Sequence, residues 1–127
     1  DQLDSVFGCP TWVDKREPCP SGSRDLRIIN EGDSIILGKL KIETIATRGH
    51  TSGGISYKVN QSVISGDAIF AGSMGRANSS WADLFDSVTQ NLLTLPENTR
   101  LYPGHGPATT VGEEKQHNPF FYGKVSL

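Results

Sequence analysis

Leu40-Lys41-Ile42-Glu43-Thr44-Ile45-Ala46-Thr47-Arg48-Gly49-His50-Thr51-Ser52-Gly53-Gly54-Ile55-Ser56-Tyr57-Lys58-Val59 is the stretch on which the architecture turns. In its first part Leu40, Ile42, Thr44 and Ala46 alternate with Lys41, Glu43, Ile45 and Thr47. A period of two with one mostly apolar face predicts a half-buried strand. A second strand is expected over Ile55 to Val59, bounded by Gly53-Gly54 and by Asn60-Gln61. Between the two strands lies a glycine-rich turn with a histidine in it, at the end of a strand, where loops held by a rigid sheet gather functional groups.

The same pattern extends outward. Leu26 to Ile29, Ser34 to Leu37, Ser62 to Ser65 and a segment near Arg100 to Tyr102 read as further short strands. Asn30-Glu31-Gly32-Asp33 and Gly38-Lys39 are the turns between the early ones. About six strands with mostly short loops describe a meandering, mostly antiparallel sheet. One helix is well marked. Ser80 and Asp83 form a Ser-x-x-Asp capping box, Trp81, Leu84, Phe85, Val88 and Leu92 make one apolar stripe, and Pro96 stops it. A second, short helix is expected from near Thr110 through Gly112-Glu113-Glu114-Lys115. The fold class is therefore α+β, with residues 25–127 as the domain. Residues 1–24 contain Pro10, Pro18, Pro20 and Ser21-Gly22-Ser23 without any period, and are expected to be irregular.

Composition narrows the function. The chain has 127 residues, 35% of them hydrophobic, together with 14 glycines, enough for one ordinary core. Twelve basic against fourteen acidic residues give a net charge of −2, which argues against nucleic acid as a partner. The apolar runs are too short for a membrane span, and no charged segment leads into an apolar one as in a signal peptide. No membrane partner is expected, and a cytoplasmic setting is. Asp1 as first residue leaves a processed product or an internal fragment open. Cys9 and Cys19 lie ten apart, each followed by proline. Free thiols are the preferred reading, a disulfide the alternative. The sequons at Asn60 and Asn78 carry no weight without a secretory context.

Three residues stand out. His50 is one of only three histidines. His105 sits in Tyr102-Pro103-Gly104-His105-Gly106-Pro107, and Asp67 follows Gly66 at the end of a third strand. Each lies just after a strand with glycine before it, and glycine lets the backbone turn sharply and approach a ligand closely. Two imidazoles and one carboxylate are a suitable set for zinc or iron. Taken singly, each also reads as an ordinary surface or turn residue.

Five strings, in order, carry a family resemblance: Thr47 to Tyr57 as quoted; Ser65-Gly66-Asp67-Ala68-Ile69-Phe70; Gly72-Ser73-Met74-Gly75-Arg76; Leu101 to Pro107; and Thr110 to Phe120, which holds His117-Asn118-Pro119-Phe120. Residues from about 26 to 121 resemble the C-terminal half of the metallo-β-lactamase fold, and more narrowly its glyoxalase II-like hydrolases. Arg48 and Ser52 depart from that pattern, since proline is common at both places. Neither change removes a ligand.

The resemblance implies half of an αββα sandwich with two metals, zinc or alternatively iron, at one edge. It implies that His50 completes the first site, that Asp67 bridges both metals and that His105 completes the second. It further implies a metal-held water attacking a small thioester. The superfamily's His-x-His-x-Asp-His string is absent, and no histidine precedes His50. Two ligands of each site are thus expected from elsewhere, and a zinc site wants at least three protein ligands. His117 is expected to pack or face solvent. The open sheet face implies a partner, either the missing N-terminal half or a second copy in a homo-oligomer, or else residues 1–24 folding back over it. Three hypotheses follow: a metallo-hydrolase half-domain, a non-catalytic dimerisation or binding module, and a mononuclear metal protein built on His50, Asp67 and His105.

Overall fold

The computed structural model describes residues 10–18 and 26–122. Its centre is a six-stranded sheet formed by β3 (Ser34–Leu37), β4 (Leu40–Ala46), β5 (Ile55–Val59), β6 (Ser62–Gly66), β9 (Arg100–Pro103) and β10 (Thr109–Thr110). The spatial order is β10-β9-β6-β5-β4-β3. Successive strands pair antiparallel, except that β6 and β9 run parallel. A parallel pair needs a crossover, and here it contains the hairpin of β7 (Ile69–Phe70) and β8 (Ser73–Met74) and then the long helix.

One face of the sheet carries the core. Val63 and Leu101, side by side on β6 and β9, are fully buried against Leu84, Val88, Leu92, Leu93, Val111 and Phe121. Ser80 caps helix α1 (Trp81–Ser87) by accepting the Asp83 N–H, as the capping box requires. The helix then widens into a π-turn over Val88–Leu92, marked by the Leu93 N–H donating to the Val88 carbonyl at 2.9 Å. The stripe reaches Leu92 as expected, with Leu84, Val88 and Leu92 all buried, but the regular α-helix ends at Ser87. Widening lets Leu92 and Leu93, adjacent in sequence, both reach the core. Trp81 also departs from the stripe: it is 51% exposed and stacks on Phe85, which stacks on Phe121. Thr110 caps helix α2 (Val111–His117).

The opposite face is covered only in part: Thr44 is buried, and Trp12, Val13 and Asp14 line a pocket with Ile55 and Tyr57. Strand register places Thr44 beside Tyr57, Tyr57 beside Ile64, and Ile64 beside Tyr102 on that face. Leu40, Ile64 and Tyr102 are 43, 58 and 40% exposed there.

Strand membership differs from the sequence reading in two places. Leu26–Ile28 is a strand, β2, but it lies outside the main sheet and pairs in parallel with β1, Thr11–Val13. Thr11–Val13 falls in the segment read as irregular, since three residues are too few to show a period. The sixth strand of the main sheet is instead Thr109–Thr110. Cys9 and Cys19 lie outside the described residues. Among the described residues no helix is long and apolar enough to cross a membrane.

Candidate metal centre

His50, Asp67 and His105 converge at one end of the sheet, and the backbone explains how. Gly49 has φ 125°, and a side chain there would collide with Leu84 of α1. The turn therefore presses onto the helix, and the Ser79 and Ser80 N–H groups both donate to the Gly49 carbonyl. Gly104 lies against Asp67: a Cβ there would stand 2.5 Å from Oδ1. The Gly104 N–H donates to the Gly66 carbonyl at 2.9 Å, which ties the His105 loop to the Asp67 loop. Gly75 passes so close to the Asp67 carbonyl that any side chain would clash with it.

Asp67 stands between the two imidazoles. Nδ1 of His105 lies 2.9 Å from Oδ1, and Nε2 of His50 lies 3.4 Å from Oδ2. Nδ1 of His50 is 2.6 Å from the Arg76 carbonyl. A carbonyl can only accept, so Nδ1 carries the proton and Nε2 of the neutral ring is a lone pair. It faces another acceptor, Oδ2, and only a cation or a proton between them satisfies both. Nδ1 of His105 donates to Oδ1 in the same way, leaving its Nε2 free on a ring that is 78% exposed. The edge of that ring meets Phe70 at a centroid distance of 6.0 Å.

The hairpin carrying Phe70 is pinned by α2. Glu114, buried, accepts the Gly72 N–H at 2.8 Å, the Thr109 hydroxyl at 2.5 Å and the Asn118 amide at 2.9 Å. The Asn118 amide also donates to the Ser73 carbonyl at 2.9 Å. His117 points away: its side chain is 69% exposed and meets Glu113 at 4.0 Å.

The donors suit zinc or iron in kind. Two ligands on one tetrahedral zinc ion stand about 3.3 Å apart, close to the 3.4 Å between His50 Nε2 and Asp67 Oδ2. They do not suit a metal in number. Each oxygen of Asp67 has one imidazole, and among the described residues no group of three or more His, Cys, Asp or Glu could hold an ion. The described residues thus do not make a metal site by themselves, and they lend the single-centre expectation no support.

A second layer around His50 went unseen in the sequence. Glu31 pairs with both Arg48 and, at 3.7 Å, Arg16. Arg16 in turn grips buried Asp14 through Nε and a terminal nitrogen at 2.8 and 2.7 Å. These hydrogen bonds hold the Asp14 carboxyl down at about 2. No local spacing announces pairs this far apart in sequence.

The profile of the metallo-beta-lactamase superfamily matches residues 3–105. The chain belongs to that superfamily. It is 42% identical to the probable metallo-hydrolase YqgX of Bacillus subtilis, over 73% of this chain and 47% of that one. It is 28% identical to the probable polyketide biosynthesis zinc-dependent hydrolase PksB of the same organism, over 95% of this chain and 58% of that one. The chain thus spans about half the length of these relatives. Among solved structures, the BLEG-1 B3 metallo-beta-lactamase superposes with a TM-score of 0.88 at 27% identity, over 97% of this chain and 70% of that one. TTHA1623, solved in a di-iron-bound form, gives 0.78 at 28%, over 94% and 68%.

Proposed function

We propose that this chain is the part of a glyoxalase II-like, metal-dependent hydrolase that supplies His50, Asp67 and His105, with zinc or iron as the metal and a small thioester as substrate. The observation that carries the reading is Asp67, which offers one oxygen to each of two imidazoles. Its support is the superfamily membership, the zinc named for PksB and the di-iron form named for TTHA1623. The described residues fall short of a full ligand set, so the activity belongs to the completed domain. The completing segment carries the His-x-His-x-Asp-His string and seats on the open face around Leu40, Ile64 and Tyr102. Within this chain, Asp67 orients both rings and the Arg76 carbonyl fixes the His50 tautomer.

The test supplies the missing half. The 127-residue chain is mixed with, or fused to, the part of YqgX that precedes the matched region, and S-acylglutathione hydrolysis is followed with added zinc. Metal-dependent turnover that is lost in Asp67→Asn supports the reading. A folded, metal-loaded complex without turnover overturns it.

A second reading, a non-catalytic dimerisation or binding module, is favoured by the exposed apolar face and the incomplete ligand set. Metal content per chain, measured with the oligomeric state of the same sample, separates the two. A dimer that stays metal-free after the missing half is added favours the module, and a chain that takes up metal together with that half favours the hydrolase.

A further inference from the structure

Residues 14–17 make no hydrogen bond or ion pair with His50, Asp67 or His105, yet they hold the His50 loop on both flanks. On the side after His50, the Gly53 N–H donates to Glu17 Oε1 at 2.7 Å and the Ser52 hydroxyl reaches the Arg16 carbonyl at 3.5 Å. Gly53 is so tightly enclosed that a Cβ would stand 2.8 Å from Asp14 Oδ1. On the side before it, Arg48 pairs with Glu31, and its buried Nε has no hydrogen-bond partner among the described residues. Glu31 also meets Arg16, which is anchored on Asp14. The anchor is firm, because the Asp14 side chain is only 1% exposed and accepts both a bidentate guanidinium and the Arg16 N–H. The opposite wall of the loop is the Arg76 carbonyl and the Ser79 and Ser80 amides.

We infer that the segment 10–18 is a strap that positions His50, with Arg48, Glu31 and Glu17 as its positioning residues. The ion-pair chain Asp14–Arg16–Glu31–Arg48 and the Glu17–Gly53 hydrogen bond together fix the loop on which His50 Nε2 faces Asp67. The value of this to a metal rests on the reading of His50 as a ligand. The strap itself does not.

The experiment is amide hydrogen exchange on the labelled 127-residue chain, with zinc titration alongside. Arg48→Ala is expected to speed exchange at Gly53 and Gly49 at least about tenfold, with Val63 and Leu101 moving less than about twofold. Arg48→Lys keeps the charge opposite Glu31 and is expected to restore most of the protection. Half-molar sodium chloride on the unaltered chain screens the partly exposed pairs and is expected to reproduce part of the effect, so the test does not depend on a variant folding. Unchanged Gly53 exchange in both Arg48→Ala and high salt overturns the strap. So does acceleration that Val63 and Leu101 share equally, since that marks general destabilisation. Loss of Gly53 protection sustains the strap whether or not zinc binds, because the described residues alone fall short of a ligand set. Unchanged metal uptake by the completed domain in His50→Ala is what counts against His50 as a ligand.

Discussion

Gly104 and Asp67 are fitted to one another: the space a side chain would need at Gly104 is occupied by Oδ1 of Asp67, 2.5 Å from where the Cβ would stand. Gly104→Ala should therefore push the carboxylate off its position between the two rings while leaving the core untouched. Disturbing a group that orients a ligand typically costs about 10–100-fold in metal affinity. Zinc affinity of the completed domain is expected to fall by that much, and calorimetric titration would show it. Equal affinity in the variant would mean that Asp67 does not hold the metal.

Asn118 is fully buried and bridges Glu114 to the β7–β8 hairpin. Asn118→Ala strands two acceptors and leaves a small void, which costs about 2–3 kcal/mol. The denaturation midpoint should drop accordingly. The edge contact of Phe70 with His105 should also loosen, visible as a changed ring-current shift on His105.

Acid should release the Asp14 anchor within a definite window. The Asp14 carboxyl sits at about 2 when folded, against an ordinary 3.8, chiefly because the Arg16 side chain hydrogen-bonds it. A depressed folded value means stability that is fully present above the unfolded value and lost as pH falls through the folded one. The loss is expected between about pH 4 and pH 2 and is on the order of 2 kcal/mol. Comparing denaturation midpoints of the natural chain and Asp14→Asn across that range isolates it. The gap between them should be widest at pH 5 and nearly closed at pH 2.

Ile64 tests the open face. Its side chain is 58% exposed, so Ile64→Asp should change the stability of the isolated chain by no more than about 0.5 kcal/mol. A charge there should nonetheless block whatever packs on Tyr102 and Leu40. Complementation by the first half of YqgX should be lost, as size-exclusion chromatography of the mixture would reveal.

The sequence made the strands with clear alternation legible, Leu40–Ala46 above all, because one face of each must be apolar. Partner choice was not legible. Leu26–Ile28 has the composition of a sheet strand, yet it pairs with Thr11–Val13, a three-residue run with no period of its own. Thr109–Thr110 is too short to declare itself. The π-turn was hidden because Val88 and Leu92 fit an α-helical stripe, and only Leu93 demands the extra width. His50, Asp67 and His105 stood out through the family resemblance together with their places after glycine at strand ends, and the structure brings the three side by side. The Arg76 carbonyl and the Glu31–Arg48 pair were not, since a backbone acceptor leaves no residue signature and a distant ion pair leaves no spacing.

The parallel pairing of β6 with β9 sets an order of events in folding. Ser62 meets Arg100 and Val63 meets Leu101, so the middle of the sheet stays unzipped until the whole crossover has been synthesised. Closing a loop of that length costs about 3 kcal/mol of chain entropy before any contact repays it. The hairpins β3–β4 and β5–β6 form early and locally. The step that brings β9 in, with α1 and the π-turn laid over Val63, is expected to limit the folding rate.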